Sequence, residues 1–546
     1  MKEMIISEVD PGANKIWVES PTWYGWLVKD PKGWFARLGK TKYDCHGFGV
    51  ETCYRYGTPI DYQSVSQTAN DFYAYQEKVL QGYEELGQLT ISLDGQQYAF
   101  PGNRNSVWIL HHNGHEVAMG DGVEQVSFSP DSKRLVYTLK VGKSSVPGES
   151  GRAGDSFYKL ISGDDVGCPV FSPDSRYWAF IGQKKRGDGN SLFLNREIVA
   201  IPGEDAKKWE CIAWCFSKSG SRWAALFAEK NKGRVQKRKN LILLVDGVII
   251  SKQVVWVDWQ CLWSQAGPFS ADGSCIAYPL KEGKQIFVIC DETKFGPYEK
   301  IGSNINWFPQ KNMAVWAAKD KTGWRTFING KPDTDNGFAQ INDRHILFST
   351  DEKNYAYTAT TLVPQETLMI KNGEVVNRRA VSALWAQFSA TGKLAYLFID
   401  DDGKMGVRVD EDPLITGQDH VGRMHWSAKG NRFGCECVRN QQSFIYVDGV
   451  SYGPFDQIEG FEFSDDEAHW AACVRSESNT LLLLDGEVVD KMNQLILDKK
   501  TKRLFANNGI TLQYYCVNNN KLYWRTEEIQ GLSNNDDTAK TKDILK

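Results

Sequence analysis

The sequence predicts an all-β fold assembled from about twelve copies of one four-stranded antiparallel unit. Three observations carry that prediction. A short phrase recurs, as "FSPDSKRLVYTL" from Phe128, "FSPDSRYWAFIG" from Phe171 and "FSADGSCIAYPL" from Phe269. Its serine falls at 92, 129, 172, 217, 270, 349, 389, 427 and 464, and weaker copies at Phe308 and Leu497 fill the gaps, so that successive spacings run from 33 to 53. A tight-turn residue follows 21 residues after many anchors, at Asn113, Asp291, Asn329, Asp410, Asp448, Asp485 and Asn518, and 23 residues after two others, at Asn195 and Asn372. Asn-Gly and Asp-Gly supply the positive φ angles that a two-residue hairpin needs.

Taken in order, the first copy is "VESPTWYGWLV" at 18–28 with Ser20 as its anchor, followed by the strand-like "GWFARLG" and a turn near Lys40-Thr41. The next anchor comes only at Ser92, and the intervening 61–87 reads as a helical insert, with Tyr73, Tyr75, Leu80, Tyr83 and Leu86 as its apolar stripe and Gly87 as its stop. Every later copy reads strand, "SPDG"-type turn, strand, variable loop, strand, Asn/Asp-Gly turn, strand. In the copy at Ser427 these are "MHWS", "RFGCECV", "SFIYV" and "VSYGPF". Such a unit is one β-propeller blade, and twelve exceed the usual four to eight of a single ring. The expectation is therefore tandem β-propellers. They would form two six-bladed rings, 1–300 with the insert at 61–87 and 301–528, followed by a disordered polar tail at 529–546. A five-plus-seven division is the alternative, and ring closure is expected to borrow a strand from one terminus.

The phrase F-S-P-D-[GS]-x-x-h-A-[FY] with its downstream Asp-Gly turn resembles the WD40-like repeats of TolB-type propellers, over about 18–527. Two copies depart from it. "FSDDEAHWAA" has Glu467 where glycine is usual, and "WFPQKNMAVW" lacks the Ser-Pro-Asp. The prolyl-oligopeptidase family carries similar blades beside a hydrolase domain, and neither that domain nor its G-x-S-x-G elbow is expected in this sequence. The resemblance implies that the two kinds of turn share one rim, while the loops between second and third strands share the other.

Composition narrows the function without naming it. A net charge of −4 selects neither nucleic acid nor acidic membranes globally, and 41% hydrophobic with 24% charged residues is the profile of a soluble globular chain. The N-terminus "MKEMIISEVDPG" has no apolar segment of signal-peptide length, no stretch is long enough to span a bilayer, and most of the twelve cysteines lie in apolar strand-like runs. A cytoplasmic location with no membrane association is expected.

Length variation concentrates on the second rim, in "VGKSSVPGESGRAGDS" at 141–156, "QKKRGDGN" at 183–190 and "EKNKGRVQKRKN" at 229–240. Lys184, Lys185 and Arg186, together with Lys230, Lys232, Arg234, Lys237, Arg238 and Lys239, are the candidate binding residues, opposed in the second half by Asp400, Asp401 and Asp402. They fit an anionic partner as well as they fit solvated hairpin tips. His111, His112 and His115 flank the Asn113-Gly114 turn, so they are read as strand residues and not as metal ligands. Cys435 and Cys437 would point to one face of a strand without a second pair nearby. Trp256, Trp259 and Trp263 are read as wedges between blades. No catalytic residue, metal or cofactor is assigned. The expected function is a non-catalytic protein-interaction scaffold or regulatory subunit with protein partners. The alternatives are a carbohydrate-active hydrolase or lyase using carboxylates in a propeller channel, and a nucleic-acid-associated factor using the basic loop at 230–239.

Overall fold

The computed structural model describes residues 2–10, 13–18, 24–30, 33–38, 41–45, 47–55, 58–66, 71–75, 78–150, 152–153, 157, 159–160, 169–186, 188–230, 240–254, 268–477, 479–496, 504–506, 511–519 and 521–529.

The recurring phrase is a hydrogen-bonded turn. The anchor hydroxyl donates to the aspartate two residues on, at 2.6 Å in Ser92–Asp94, Ser129–Asp131 and Ser172–Asp174. The same Oγ accepts the backbone N–H five residues on, from Arg134 to Ser129 and from Tyr177 to Ser172, each at 2.9 Å. Side-chain oxygens thus satisfy backbone donors where the strand ladder has stopped. These bonds to the serine hold the Asp131 and Asp94 carboxyls below the usual aspartate range. The Asn/Asp turn then closes on the same spot. Asp448 (φ 49°) and Asp485 (φ 51°) accept the N–H of Phe433 and Trp470, each at 2.9 Å, at the start of the second strand. The 21-residue offset in the sequence is the trace of this contact between two turns.

Among the described residues the units form thirteen sheets, twelve of four or five strands and one of three. In chain order they are sheet 1 (14–45), sheet 2 (47–83), sheet 3 (85–120), sheet 4 (122–153), sheet 5 (159–198), sheet 6 (209–251), sheet 7 (277–298), sheet 8 (300–332), sheet 9 (340–378), sheet 10 (387–418), sheet 11 (420–455), sheet 12 (457–492) and sheet 13 (494–528 with 2–8). Apart from two 3₁₀ turns, Ala206–Lys208 and Ala383–Trp385, the described elements are all strands.

Two expectations are corrected. The helical insert at 61–87 is strand. Thr58–Ser66, Asp71–Tyr75 and Lys78–Tyr83 belong to sheet 2, with Tyr73 opposite Leu80 and Tyr75 opposite Lys78. Phe72, Tyr73, Tyr75 and Val79 are strand-forming residues, and Tyr73 and Tyr75 fit a period of two as well as a helical stripe. Sheet 2 is therefore a further blade, which brings the number above twelve. The last repeat also differs from the expected alignment. Asn518 ends the second strand of sheet 13, Thr511–Asn518, and precedes the turn to the third, so its offset from Leu497 does not mark the outer turn. The outer strand of that sheet is the N-terminal Lys2–Glu8, paired with Lys521–Glu528, which is the expected loan of a strand from a terminus.

The chain groups into two compact units, one of 1–46 with 387–546 and one of 47–386. The expected boundary at 300–301 falls inside the second unit. In that unit apolar clusters are shared by consecutive sheets, with Tyr137 and Val126 between sheets 3 and 4, Trp178 and Phe193 with Val136 between sheets 4 and 5, and Trp316 among sheets 6, 7 and 8. In the first unit Trp470 joins sheets 11 and 12, Tyr514 joins 12 and 13, and Trp26 joins 13 and 1. Trp26, Trp178, Trp316 and Trp470 are fully buried. Truncating any of them to alanine costs about 3–5 kcal/mol.

Candidate functional site

The central hairpin of sheet 5, Trp178–Gln183 and Ser191–Leu194, ends in a tip that exposes Lys184, Lys185 and Arg186. Asp188 folds the tip back. Its Oδ2 accepts the Lys185 N–H at 2.9 Å, and its own N–H donates to the Lys185 carbonyl at 3.1 Å. In sheet 6 the corresponding tip begins at Lys230, whose N–H donates to the Lys208 carbonyl at 2.8 Å. The Lys230 side chain lies across the sheet 5 tip, its Cε only 1.9 Å from where a Cβ on Gly189 would stand. A side chain at position 189 would push the lysine end aside. Lys207 and Lys208, both exposed, end the 3₁₀ turn that leads into sheet 6, and Asp205 caps this turn by accepting the Lys207 N–H at 3.0 Å.

The structure thus sets Lys230 against the tip that carries Lys184, Lys185 and Arg186 and beside Lys208, and Lys207 and Lys208 are cations that sequence reasoning missed. Their signal was present in "EDAKKWE", a capped turn with two cations on the variable rim. Lys232, Arg234, Lys237, Arg238 and Lys239 lie outside the described residues. Acidic groups interleave with the cations. Glu204 accepts hydrogen bonds from Lys252 at 2.6 Å and from Trp209 Nε1 at 3.1 Å, which hold its carboxyl below the usual range.

The other sequence candidates resolve differently. The stretch 141–156 is not a long loop at its start. Val141 pairs with Ser144 across a two-residue turn, and Ser144–Glu149 is the third strand of sheet 4. Asp400, Asp401 and Asp402 do occupy the exposed tip of sheet 10, where Asp400 Oδ1 accepts the N–H groups of Asp402 and Lys404. His111 and His112 end one strand and His115 begins the next. His111 is buried against Tyr83 and Phe100, and that burial lowers its pKa. Cys435 and Cys437 share a face, Sγ to Sγ 3.5 Å, both buried. Trp256, Trp259 and Trp263 lie outside the described residues. The spacing G-x-S-x-G does occur once, from Gly449 to Gly453, contrary to expectation. It belongs to the outer hairpin of sheet 11, where Ser451 pairs with Tyr446 in an ordinary antiparallel ladder, and not to a strand-to-helix elbow.

A second site lies in the first unit, between the first strands of sheets 11, 12 and 13. A pocket enclosing about 300 Å³ is lined by Arg423, His425, Glu459, Gly460, Phe461, Glu462, Cys473, Leu495 and Leu504. Two bulges build it. The register slips between Val421 and Met424, where Arg423 lies, and between Ile458 and Gly460, where Glu459 is the extra residue. A bulge re-aims a side chain out of the alternating pattern. Glu459 Oε1 accepts from Arg475 Nε at 2.5 Å, and its Oε2 lies 3.3 Å from the Cys473 thiol, whose pKa burial pushes up. Glu462 Oε1 accepts the N–H groups of Leu504 at 2.6 Å and Phe505 at 2.8 Å. The His425 ring packs on Phe461 with centroids 5.1 Å apart, and its Nε2, 3.8 Å from Glu436 Oε1, is buried without a hydrogen-bond partner. Sequence reasoning missed this site because a bulge is set by pairing between strands and leaves no local motif.

No family model matches the chain, and no curated protein matches it. Solved structures with a detectable likeness include three at 10–13% identity. The β-propeller domain of the trilobed protease from Pyrococcus furiosus is 10% identical, covering 59% of this chain and 93% of that one with a TM-score of 0.21. TolB from Acinetobacter baumannii is 13% identical over 50% and 75%, with a TM-score of 0.20. Hydrazine synthase from Kuenenia stuttgartiensis is 11% identical over 49% and 92%, with a TM-score of 0.23. The decisive observation is in the chain itself, where among the described residues thirteen small antiparallel sheets, twelve of them of four or five strands, follow one another along the chain, most of them built on the same pair of turns. These are β-propeller blades. Among the described residues no helix is long and apolar enough to cross a membrane.

Proposed function

We propose that this propeller protein is a non-catalytic interaction scaffold whose basic tips on sheets 5 and 6 hold an acidic segment of a protein partner. The observation that carries this reading is the crossing of Lys230 over Gly189, which sets the sheet 6 tip against the exposed sheet 5 tip of Lys184, Lys185 and Arg186, with Lys208 hydrogen-bonded to Lys230 through its carbonyl and Lys207 next to it in the chain. A rigid blade scaffold fixes where each tip points, so loops far apart in sequence present their charges together. Asp188, Glu204, Glu210 and Glu229 among these cations favour a protein partner with mixed polar contacts over a bare phosphate backbone. A reducing, cytoplasmic setting fits the free thiols of Cys211, Cys215, Cys435, Cys437, Cys473 and Cys516, all buried.

The test is binding of the full chain to poly-glutamate and, in parallel, to a single-stranded oligonucleotide across a salt series. Poly-glutamate binding is expected to fall at least tenfold in the triple variant Lys184→Glu, Lys185→Glu, Arg186→Glu. Unchanged binding in that variant would remove the surface from consideration. Tighter, steeply salt-dependent binding of the oligonucleotide would replace the protein partner with nucleic acid.

A further inference from the structure

We infer that the pocket between the first strands of sheets 11, 12 and 13 is a binding site for a small organic monocarboxylate with a compact apolar body. The inference is independent of the basic tips, which belong to the other unit. At about 300 Å³ the cavity falls at the lower end of the range of small-molecule sites. Its acidic residues are already engaged, Glu459 by the Arg475 guanidinium and Glu462 by two backbone N–H groups. Arg423 is different. It is exposed at the bulge and makes no ion pair with a described residue. It is therefore the lining cation left to meet a ligand, and its guanidinium matches a carboxylate with two parallel hydrogen bonds.

The rest of the lining fits the body of such a ligand. Phe461, Leu495 and Leu504 supply apolar walls, and the Cys473 thiol stays protonated because burial raises its pKa. Gly460 opens the floor, since a Cβ there would meet nothing within 4 Å, and its backbone is not in the left-handed region. Chemistry of this kind, a few placed polar groups on an apolar lining, orients a ligand by its charged end and holds it by its body.

The experiment is ligand-observed NMR and calorimetric titration of the full chain with hexanoate and phenylacetate, against hexylamine and hexanamide as controls. Saturable binding of the carboxylates alone is expected, weakened at least tenfold in Arg423→Gln. Gly460→Val places a side chain in the open floor of a strand position that tolerates it, and is expected to abolish binding while leaving the thermal midpoint unchanged or raised. Failure of both carboxylates to saturate would overturn the inference. So would equal binding of hexylamine, or undiminished binding by Arg423→Gln. Because the basic tips are untouched in these variants, poly-glutamate binding should be unaffected, which separates this result from that of the proposed scaffold surface.

Discussion

Asp333, in the outer part of sheet 8, shows how one carboxylate ties two blades at a cost that depends on pH. It accepts hydrogen bonds from Tyr357 at 2.8 Å and Tyr355 at 3.4 Å in sheet 9, while its Oδ1 is buried without a partner. Burial outweighs those bonds and raises its pKa to about 6. The folded protein therefore keeps this proton up to about pH 6, whereas the unfolded chain releases it near pH 3.8. Between those values the native state binds more protons, and stability falls as pH rises. Asp333→Asn is expected to stabilise the protein by about 2 kcal/mol at pH 8 and to give no such gain at pH 3.5. Urea denaturation at the two pH values checks it, and a gain confined to acid would contradict it. Glu467 makes the complementary point. It occupies the glycine position of its turn at φ 67°, yet it is buried because its carboxylate reaches back to sheet 11, accepting the Lys429 N–H at 2.5 Å and Asn431 Nδ2 at 2.8 Å. Glu467→Ala should cost about 2–3 kcal/mol by chemical denaturation. Glu467→Gly should cost about 1 kcal/mol less, because glycine relieves the left-handed backbone.

Between neighbouring sheets the same clasp recurs. Arg432 in sheet 11 donates Nε to Asp448 of its own turn at 2.8 Å, and Nη1 to the carbonyls of Glu467 and Ala468 in sheet 12 at 3.1 Å each. Its guanidinium lies 5.2 Å from the Phe463 ring. Arg134 and Arg222 repeat the arrangement, over Phe171 and Phe269. The planar fork is what lets one side chain serve both turns at once. Arg432→Lys should therefore be nearly as damaging as Arg432→Ala, each lowering stability by about 2 kcal/mol. Hydrogen exchange should speed up at the start of the strand Trp470–Ser476. Full rescue by lysine would show that charge alone matters there.

The first unit is joined from both ends of the chain, and its stability rests on that union. Lys2–Glu8 covers the edge of Lys521–Glu528, and Asp10 just beyond it accepts from Trp26 Nε1 at 2.9 Å and Arg37 Nε at 2.7 Å in sheet 1. Asp490 does the same one sheet earlier, binding Tyr514 at 2.6 Å and Arg525 at 2.5 Å. Removing residues 2–8 would bare a row of unpaired backbone groups, which is a template for strand addition. A lower thermal midpoint and concentration-dependent self-association by light scattering are expected. A truncated protein as stable and monodisperse as the parent would refute this role for the N-terminal strand.

Repetition was legible in the amino acids alone because each blade needs the same local chemistry. In many blades a serine and an aspartate cap one turn, and a residue tolerant of positive φ makes the other, at a nearly constant separation. The basic tip of sheet 5 was legible too, as charge in a loop of unusual length. What pairing decides left no such mark. The strands of sheet 2 carry no anchor phrase, so their aromatic run reads equally as a helix until a hairpin partner is in place. The N-terminal strand joins a sheet more than five hundred residues away in sequence. Arg423 and Glu459 line one pocket from two strands whose registers slip beside them. Local hydrogen bonds write themselves into short motifs, whereas register and long-range pairing depend on strands that the chain brings together only on folding.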